Sequence, residues 1–137
     1  MRKRRREMIK SMNDFKPNFG ETKKLANLFG EDARDIAKLL NDGYGADIST
    51  TQFRQFYEKI LELNEKAQGL SVPEFEVKVL PFVKLLNSKV QYSKSRRNCG
   101  ERFEEMMDKS IKAVNSATEL QNFKYFLEAV IGYMPKK

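Results

Sequence analysis

Three residues in the second half of the chain have types and spacing suited to binding a polyanion. Lys89, Tyr92 and Arg96 recur every three or four residues, so on a helix they form one stripe. An ammonium and a planar guanidinium bind phosphate oxygens or a 2′-hydroxyl, and a tyrosine ring beside them stacks on a base or bonds to a sugar. Lys94 and Arg97 flank the stripe. The pattern predicts a nucleic-acid surface.

Two plainer explanations remain open for these residues. Basic side chains near the end of a helix interact favourably with its dipole and its free carbonyls, whatever the partner. Arg54, on an earlier predicted helix, reaches the same surface if the two helices are neighbours, or else pairs with Glu58 one turn on. Charge pattern alone therefore does not separate a binding surface from a capped helix.

The stripe needs a helix whose opposite side is buried. Apolar residues and one asparagine cluster about 130° from the stripe at 100° per residue. They are Leu80, Val83, Leu86, Asn87 and Val90. Proline suits a first helical turn, so we expect one long helix that begins near Pro73 or Leu80 and ends before Asn98 to Gly100.

The other segments also read as helices separated by short loops. Ser49 with Gln52, and Thr118 with Gln121, have the spacing of capping boxes and predict two helix starts. No segment shows convincing strand alternation. We expect an all-α, compact bundle of about five helices, formed by a single domain over residues 21–137. Residues 1–20, which begin with the basic run Arg2 to Arg6, are expected to be a flexible basic arm.

Composition excludes several function classes. The 137 residues carry a formal charge of +7 and no histidine, which removes the usual general base and the commonest metal ligand. The single cysteine, Cys99, forms no intramolecular disulfide, and its basic neighbours could lower the pKa of its thiol. We therefore expect no enzyme activity, no catalytic or metal site and no cofactor. With neither a signal peptide nor a long apolar segment, we expect a cytoplasmic protein without a membrane partner.

Three stretches of the chain resemble the small subunit of the type III-A CRISPR effector, the Csm complex. Their order and spacing match that family from about Ser49 to Met134, roughly two thirds of the chain, whereas residues 1–47 match less clearly. The stretches are Thr51–Tyr57 (TQFRQFY), Leu86–Arg96 (LNSKVQYSKSR) and Phe123–Tyr133 (FKYFLEAVIGY). Each is moderately specific alone and considerably more so together.

The resemblance implies a noncatalytic subunit that stacks in several copies beside the other Csm subunits. It implies contact with the duplex of guide RNA and target RNA through shape and phosphates, in antiviral defence. Carried over by position, the implied RNA-binding residues are Arg54, Lys89, Tyr92 and Arg96, with Lys94 and Arg97 in support. Exposed apolar residues such as Leu85 would serve the stacking contact, and a free subunit would pair with itself as a homodimer.

Two other interpretations compete with this one. A helical adaptor would use the same basic surface to bind an acidic protein, without RNA. A DNA-binding factor is less favoured, because major-groove readers usually present the N-terminal end of a helix to the bases, whereas these basic residues lie toward a C-terminal end.

Overall fold

Helices account for most of the chain that the computed structural model describes, residues 8–41 and 46–135. The first, α1, is a continuous helical segment over 22–40 that includes a wide π turn at Leu28–Asp32 and a regular part at Ala33–Leu40. The others are α2 (Thr50–Ala67), α3 (Val72–Lys78), α4 (Leu80–Ser95), α5 (Glu101–Lys112) and α6 (Ala117–Tyr133). These residues contain no strand, only an isolated antiparallel bridge between Ile48 and Cys99. The all-α prediction is confirmed, with about six helices in place of five.

The extra helix comes from a break at Val79. Ser71 and Glu74 form a reciprocal capping box that starts α3, with Pro73 in its first turn. At Val79 the backbone leaves helical geometry, and a new helix begins at Leu80 with Pro81 in its first turn. The predicted start near Leu80 is therefore correct for the long helix. Residues 72–78 form a separate helix, because the Ser71 cap starts it and the break at Val79 ends it.

One helix start was predicted correctly and another was not. The Ser49 hydroxyl accepts a hydrogen bond from the Gln52 amide over 3.1 Å, as its spacing predicted. The start at Thr118 is wrong, because Ser116 caps α6 and accepts from the Glu119 amide over 3.1 Å. The Glu119 carboxylate in turn accepts a bond from the Asn115 amide, so this cap lies two residues earlier than expected.

The N-terminal segment packs into the core from residue 12 onward. Phe15 stacks on Phe126 with ring centroids 5.3 Å apart, and Phe19 lies 5.4 Å from Phe123, both on α6. Phe15 and Phe19 are 1% and 0% exposed. The flexible arm is therefore wrong for residues 8–20: their apolar residues lack helical spacing, yet they are buried from a short 3-10 turn and extended chain. The basic run Arg2 to Arg6 lies outside the described residues.

Candidate nucleic-acid interface

Helix α4 presents the predicted stripe to solvent. Val83, Leu86 and Val90 are buried on one side of the helix, at 0%, 3% and 0% exposure. On the other side Tyr92 is 64% exposed, and Lys89 and Arg96 are also exposed. The two faces of the helix are thus divided as its periodicity predicted, with the three candidate side chains free to meet a ligand.

The tyrosine and the arginine of the stripe already interact. The Arg96 guanidinium carbon lies 5.6 Å from the centroid of the Tyr92 ring, within cation–π range. The contact joins residues one helical turn apart, so it orders both side chains along the helix surface. A cation and an aromatic ring held side by side suit a phosphate and its neighbouring base.

Helix α4 ends in a Schellman motif with Arg97 at the left-handed position. The Asn98 amide donates to the Ser93 carbonyl and the Arg97 amide donates to the Lys94 carbonyl, both over 2.9 Å. Arg97 has φ 61°, a conformation in which glycine is usual. Backbone amides satisfy the carbonyls of Tyr92, Ser93 and Lys94, so these carbonyls need no basic side chain. The favourable interaction of Arg96 and Arg97 with the helix dipole remains a structural reason for their charge.

Lys94 is engaged inside the bundle. Its ammonium nitrogen lies 3.1 Å from Glu104 Oε1 on α5, and the two side chains are 35% and 19% exposed. The hydrogen bond to Glu104 raises the pKa of Lys94. The structure therefore does not add Lys94 to the stripe, and a role for it in RNA binding would require this pair to open.

Arg54 lies away from the stripe although α2 and α4 are neighbours. Gln52, Gln55 and Lys59 of α2 line the same groove as Lys89 and Tyr92. Arg54 instead lines an opening beside the end of α6, with Ser49, Ile131 and Gly132. It forms no ion pair with Glu58 in the described part of the chain. Arg54 therefore neither joins the stripe nor pairs with Glu58. The residues of α2 on the side that faces α4 are Gln52, Gln55 and Lys59, and Arg54 lies on a different side of that helix.

Three other basic side chains bind backbone carbonyls between elements. Lys84 reaches the carbonyl of Ile111 at the end of α5 over 3.2 Å, and Arg102 reaches that of Leu39 over 2.7 Å. Lys109 binds the carbonyl of Met12. These cations complete the last turns of helices and fix the N-terminal segment. The formal charge of the chain is therefore divided between cations that hold the fold and cations that line its surface.

The start of α5 depends on an acidic residue distant in sequence. Gly100 occupies its N-cap position and has no side chain to offer. The Asp47 carboxylate accepts a hydrogen bond from the Phe103 amide over 2.7 Å, and the Asp47 carbonyl accepts one from the Gly100 amide over 2.8 Å. Asp47 thus caps α5 from another loop. Its spacing from α5 hid this role from sequence reasoning.

The groove between α2 and α4 continues beyond the stripe. Lys59 and Lys89 line both the part next to Tyr92 and an adjoining part of about 180 Å³ beside Phe82 and Leu85. Sequence reasoning missed Lys59 and Phe82 as surface residues. The sequence spacing could have shown both. Lys59 lies seven residues after Gln52 and so on the same face of α2, and Phe82 lies one turn before Leu85.

The Cys99 thiol and two acidic side chains of α5 are engaged in packing or in pairs with neighbouring side chains. Burial raises the pKa of the Cys99 thiol, which overturns the expectation that basic neighbours lower it. In the acidic region of α5, Glu104 is paired with Lys94, and Asp108 is hydrogen-bonded to Lys112 and Asn87. Among the described residues, no three metal-ligating side chains are placed to hold an ion.

No described helix is both long and apolar enough to cross a bilayer.

Comparison with known proteins agrees with the resemblance found in the sequence. No curated protein and no solved structure matches the chain. The model of one family, Csm2 Type III-A, matches residues 23–134, from the start of α1 to the end of α6. The chain therefore belongs to this family, the small subunit of the type III-A CRISPR Csm complex.

Proposed function

We propose that this subunit is a noncatalytic RNA-binding structural component of the Csm ribonucleoprotein effector. Several copies stack along the duplex of guide RNA and target RNA and contact its backbone phosphates, in antiviral defence in the cytoplasm. The observation that supports this most is the exposed stripe of Lys89, Tyr92 and Arg96 on the solvent side of α4. Family membership supplies the context, because the Csm complex is the assembly to which the family contributes its small subunit.

The stripe suits binding that does not depend on RNA sequence. Lys89 and Arg96 offer charge to any phosphate, and the face of Tyr92 stacks on any base. Arg97 adds a cation at the adjoining turn, where a left-handed backbone projects it from the end of α4. A protein that recognises base sequence in a duplex needs side chains that reach the base edges in a groove. A single exposed stripe is better placed to contact the phosphates on the outside of the duplex.

Stacking of copies requires two different surfaces that meet head to tail. Leu85 is 50% exposed on α4 and serves such a contact in this proposal wherever no other partner covers it. Without its neighbours the subunit pairs with itself, since the same apolar surface is then uncovered. The oligomeric state of the free protein, measured by light scattering, tests this part separately from RNA binding.

The RNA proposal is tested by replacing Lys89, Arg96 and Arg97 together with alanine. Affinity for two unrelated RNA sequences, followed by fluorescence anisotropy, should fall about equally for both. The slope of log affinity against log salt should become shallower by about 2, since each lost phosphate contact removes about 0.7 to 0.9. A control that replaces exposed Lys16, Lys23 and Lys38 removes the same charge and should keep most of the affinity.

Two results would contradict the proposal. If the triple variant binds RNA as the unaltered protein does while circular dichroism shows an intact helical fold, the stripe is not the RNA surface. If nuclease treatment leaves an association with one acidic protein intact and the triple variant loses that protein, the stripe binds a protein and the adaptor interpretation takes its place.

A further inference from the structure

The part of the α2–α4 groove beyond the stripe combines apolar and basic side chains. Nine residues line it, of which four are lysines, four are apolar and one is Glu62. Leu63 and Leu86 are buried at its floor, while Phe82 and Leu85 rise at its edge and are 54% and 50% exposed. We refer to these nine residues as the lysine groove, in which Lys59 and Lys89 lie at the end that adjoins the part next to Tyr92.

Two of the most exposed large apolar residues, Phe82 and Leu85, line this groove. Of the eight large hydrophobic residues that are most exposed in the described chain, five lie on α3 and α4. They are Val72, Val77, Phe82, Leu85 and Tyr92. A soluble surface that collects apolar side chains in one place, with a charged rim, marks a site of protein contact.

The charges around the apolar residues have one dominant sign. Lys59 and Lys66 lie on the α2 side, and Lys78 and Lys89 on the side of α3 and α4. Among the nine lining residues Glu62 is the one acid, so the lining carries a net charge of +3, and Glu74 lies next to it as the partner of Lys78. Lys66 and Lys89 form no ion pair with any residue of 8–41 or 46–135.

The two pairs that do exist are weak. Lys59 lies 3.6 Å from Glu62, and Lys78 lies 3.6 Å from Glu74. All four side chains are between 48% and 63% exposed, and such surface pairs contribute little stability. Carboxylates of a partner could therefore replace Glu62 and Glu74 at small cost, and all four lysines are available to a negatively charged ligand.

We propose that the lysine groove binds an acidic amphipathic helix of a partner protein. Apolar residues on one face of that helix pack on Leu63, Leu86, Phe82 and Leu85, and acidic residues on its flanks pair with the lysines on both walls. From Lys59 to Lys66 the lysine groove follows α2 for about 10 Å at about 1.5 Å per residue. About two turns of a partner helix cover this length.

The composition of the groove favours a protein helix over RNA. Its cations are all lysines, without an arginine to form bidentate phosphate contacts. Its floor and edge are mainly aliphatic, which an apolar helix face covers and which a phosphate backbone does not. The stripe, with Arg96 and Tyr92, has the opposite character. Lys89 therefore lies at the boundary between the two sites. RNA binds on its Tyr92 side, and the partner helix binds on its Phe82 side.

The test uses a fluorescein-labelled synthetic peptide of about four helical turns, with leucines at i, i+3 and i+7 and glutamates beside them. Binding to the full chain is measured by anisotropy against a scrambled peptide of the same composition. We expect the double variant Phe82→Ser and Leu85→Ser to bind the peptide at least roughly tenfold more weakly. Tyr133→Ser, at the same 50% exposure as Leu85, is the matched control and should bind normally.

A second pair of variants separates charge from fold. Lys66→Gln with Lys78→Gln leaves the apolar residues in place and should weaken peptide binding severalfold, with a shallower dependence on salt. The inference is overturned if the scrambled peptide binds as tightly as the designed one. It is also overturned if the Phe82 and Leu85 variant loses affinity for single-stranded RNA as much as for the peptide, because the groove would then belong to the RNA surface.

Discussion

The guanidinium of Arg96 lies 5.6 Å from the centre of the Tyr92 ring, on the exposed side of α4. The two residues are four apart, so the helix itself brings them together. Their contact leaves the ring 64% exposed, and its free area is the part of the stripe that can stack on a base. The pair therefore links an aromatic surface to a cation without any residue from another helix.

Replacing Tyr92 should separate the ring from its hydroxyl. Tyr92→Phe keeps the ring and the contact with Arg96, so RNA affinity should change little. Tyr92→Ala removes the ring and should weaken binding by about 1 to 3 kcal/mol, the contribution of one stacked base. Anisotropy titrations of both variants check this, and equal affinities for the alanine and phenylalanine variants would contradict a stacking role.

Arg97→Gly should make the protein more stable and a weaker RNA binder. The left-handed backbone at residue 97 suits glycine, so relief of strain should raise the free energy of unfolding by up to about 1 kcal/mol. Loss of the cation should lower RNA affinity. Urea denaturation measures the first effect. Arg96→Gly is the control, since Arg96 has φ −89° and offers no strain to relieve; a comparable gain there would contradict the explanation.

Asp47 and Gly100 should show coupled effects on stability. Asp47→Ala removes the cap of α5 and should cost about 1 kcal/mol, whereas Asp47→Asn keeps an acceptor and should cost less. Gly100→Ala should also destabilise, because a Cβ there would collide with the Asp47 carboxylate. In the Asp47→Ala background that collision is gone, so the cost of Gly100→Ala should shrink. Strictly additive changes in a chemical denaturation cycle would refute this contact.

Phe19→Ala should destabilise the fold strongly. Phe19 is 0% exposed against Phe123 and Phe126, and truncating a buried phenylalanine costs about 3 to 5 kcal/mol. Phe82→Ala, at a residue 54% exposed, is the matched control and should cost far less. Thermal or urea unfolding measures both. A small loss for Phe19→Ala would restore the expectation that residues 8–20 form a flexible arm.

Cys99 should react slowly with thiol reagents. The residue is 7% exposed, and burial raises its pKa above the ordinary thiol range, so at pH 8 less of it is the reactive thiolate than in the unfolded chain. Because the folded state holds the proton more tightly, this group makes folding less favourable as pH rises above about 8.5. Ellman's reagent in buffer and in denaturant gives the two rates, and equal rates would contradict the buried position.

Much of this fold could be predicted because its signals are local. Apolar residues at helical spacing predicted α4 with its buried and exposed faces, and Ser49 with Gln52 predicted the start of α2. The Lys89, Tyr92 and Arg96 stripe is local in the same sense, since one helix positions all of it.

Features that depend on distant contacts could not be read from the sequence. Phe15 and Phe19 are buried by α6, more than a hundred residues away, and their own segment has no helical period. Lys94 was expected beside the stripe, but Glu104 on the next helix draws it inward. Arg54 was expected to reach the stripe but lies away from it, because the sequence does not show which side of α2 faces α4.

The cap that Asp47 provides has a consequence for any attempt to map the RNA footprint by mutagenesis. The loop that contains Asp47 is joined to the turn after α4 by the Gly100 hydrogen bond and by the bridge between Ile48 and Cys99. That turn carries Arg97 and sets the direction in which it projects. Both links are made by backbone atoms, so alanine at residue 47 keeps them and removes only the carboxylate that caps Phe103. An alanine scan of the proposed RNA surface should therefore find at Asp47 a loss of stability and not a loss of RNA affinity.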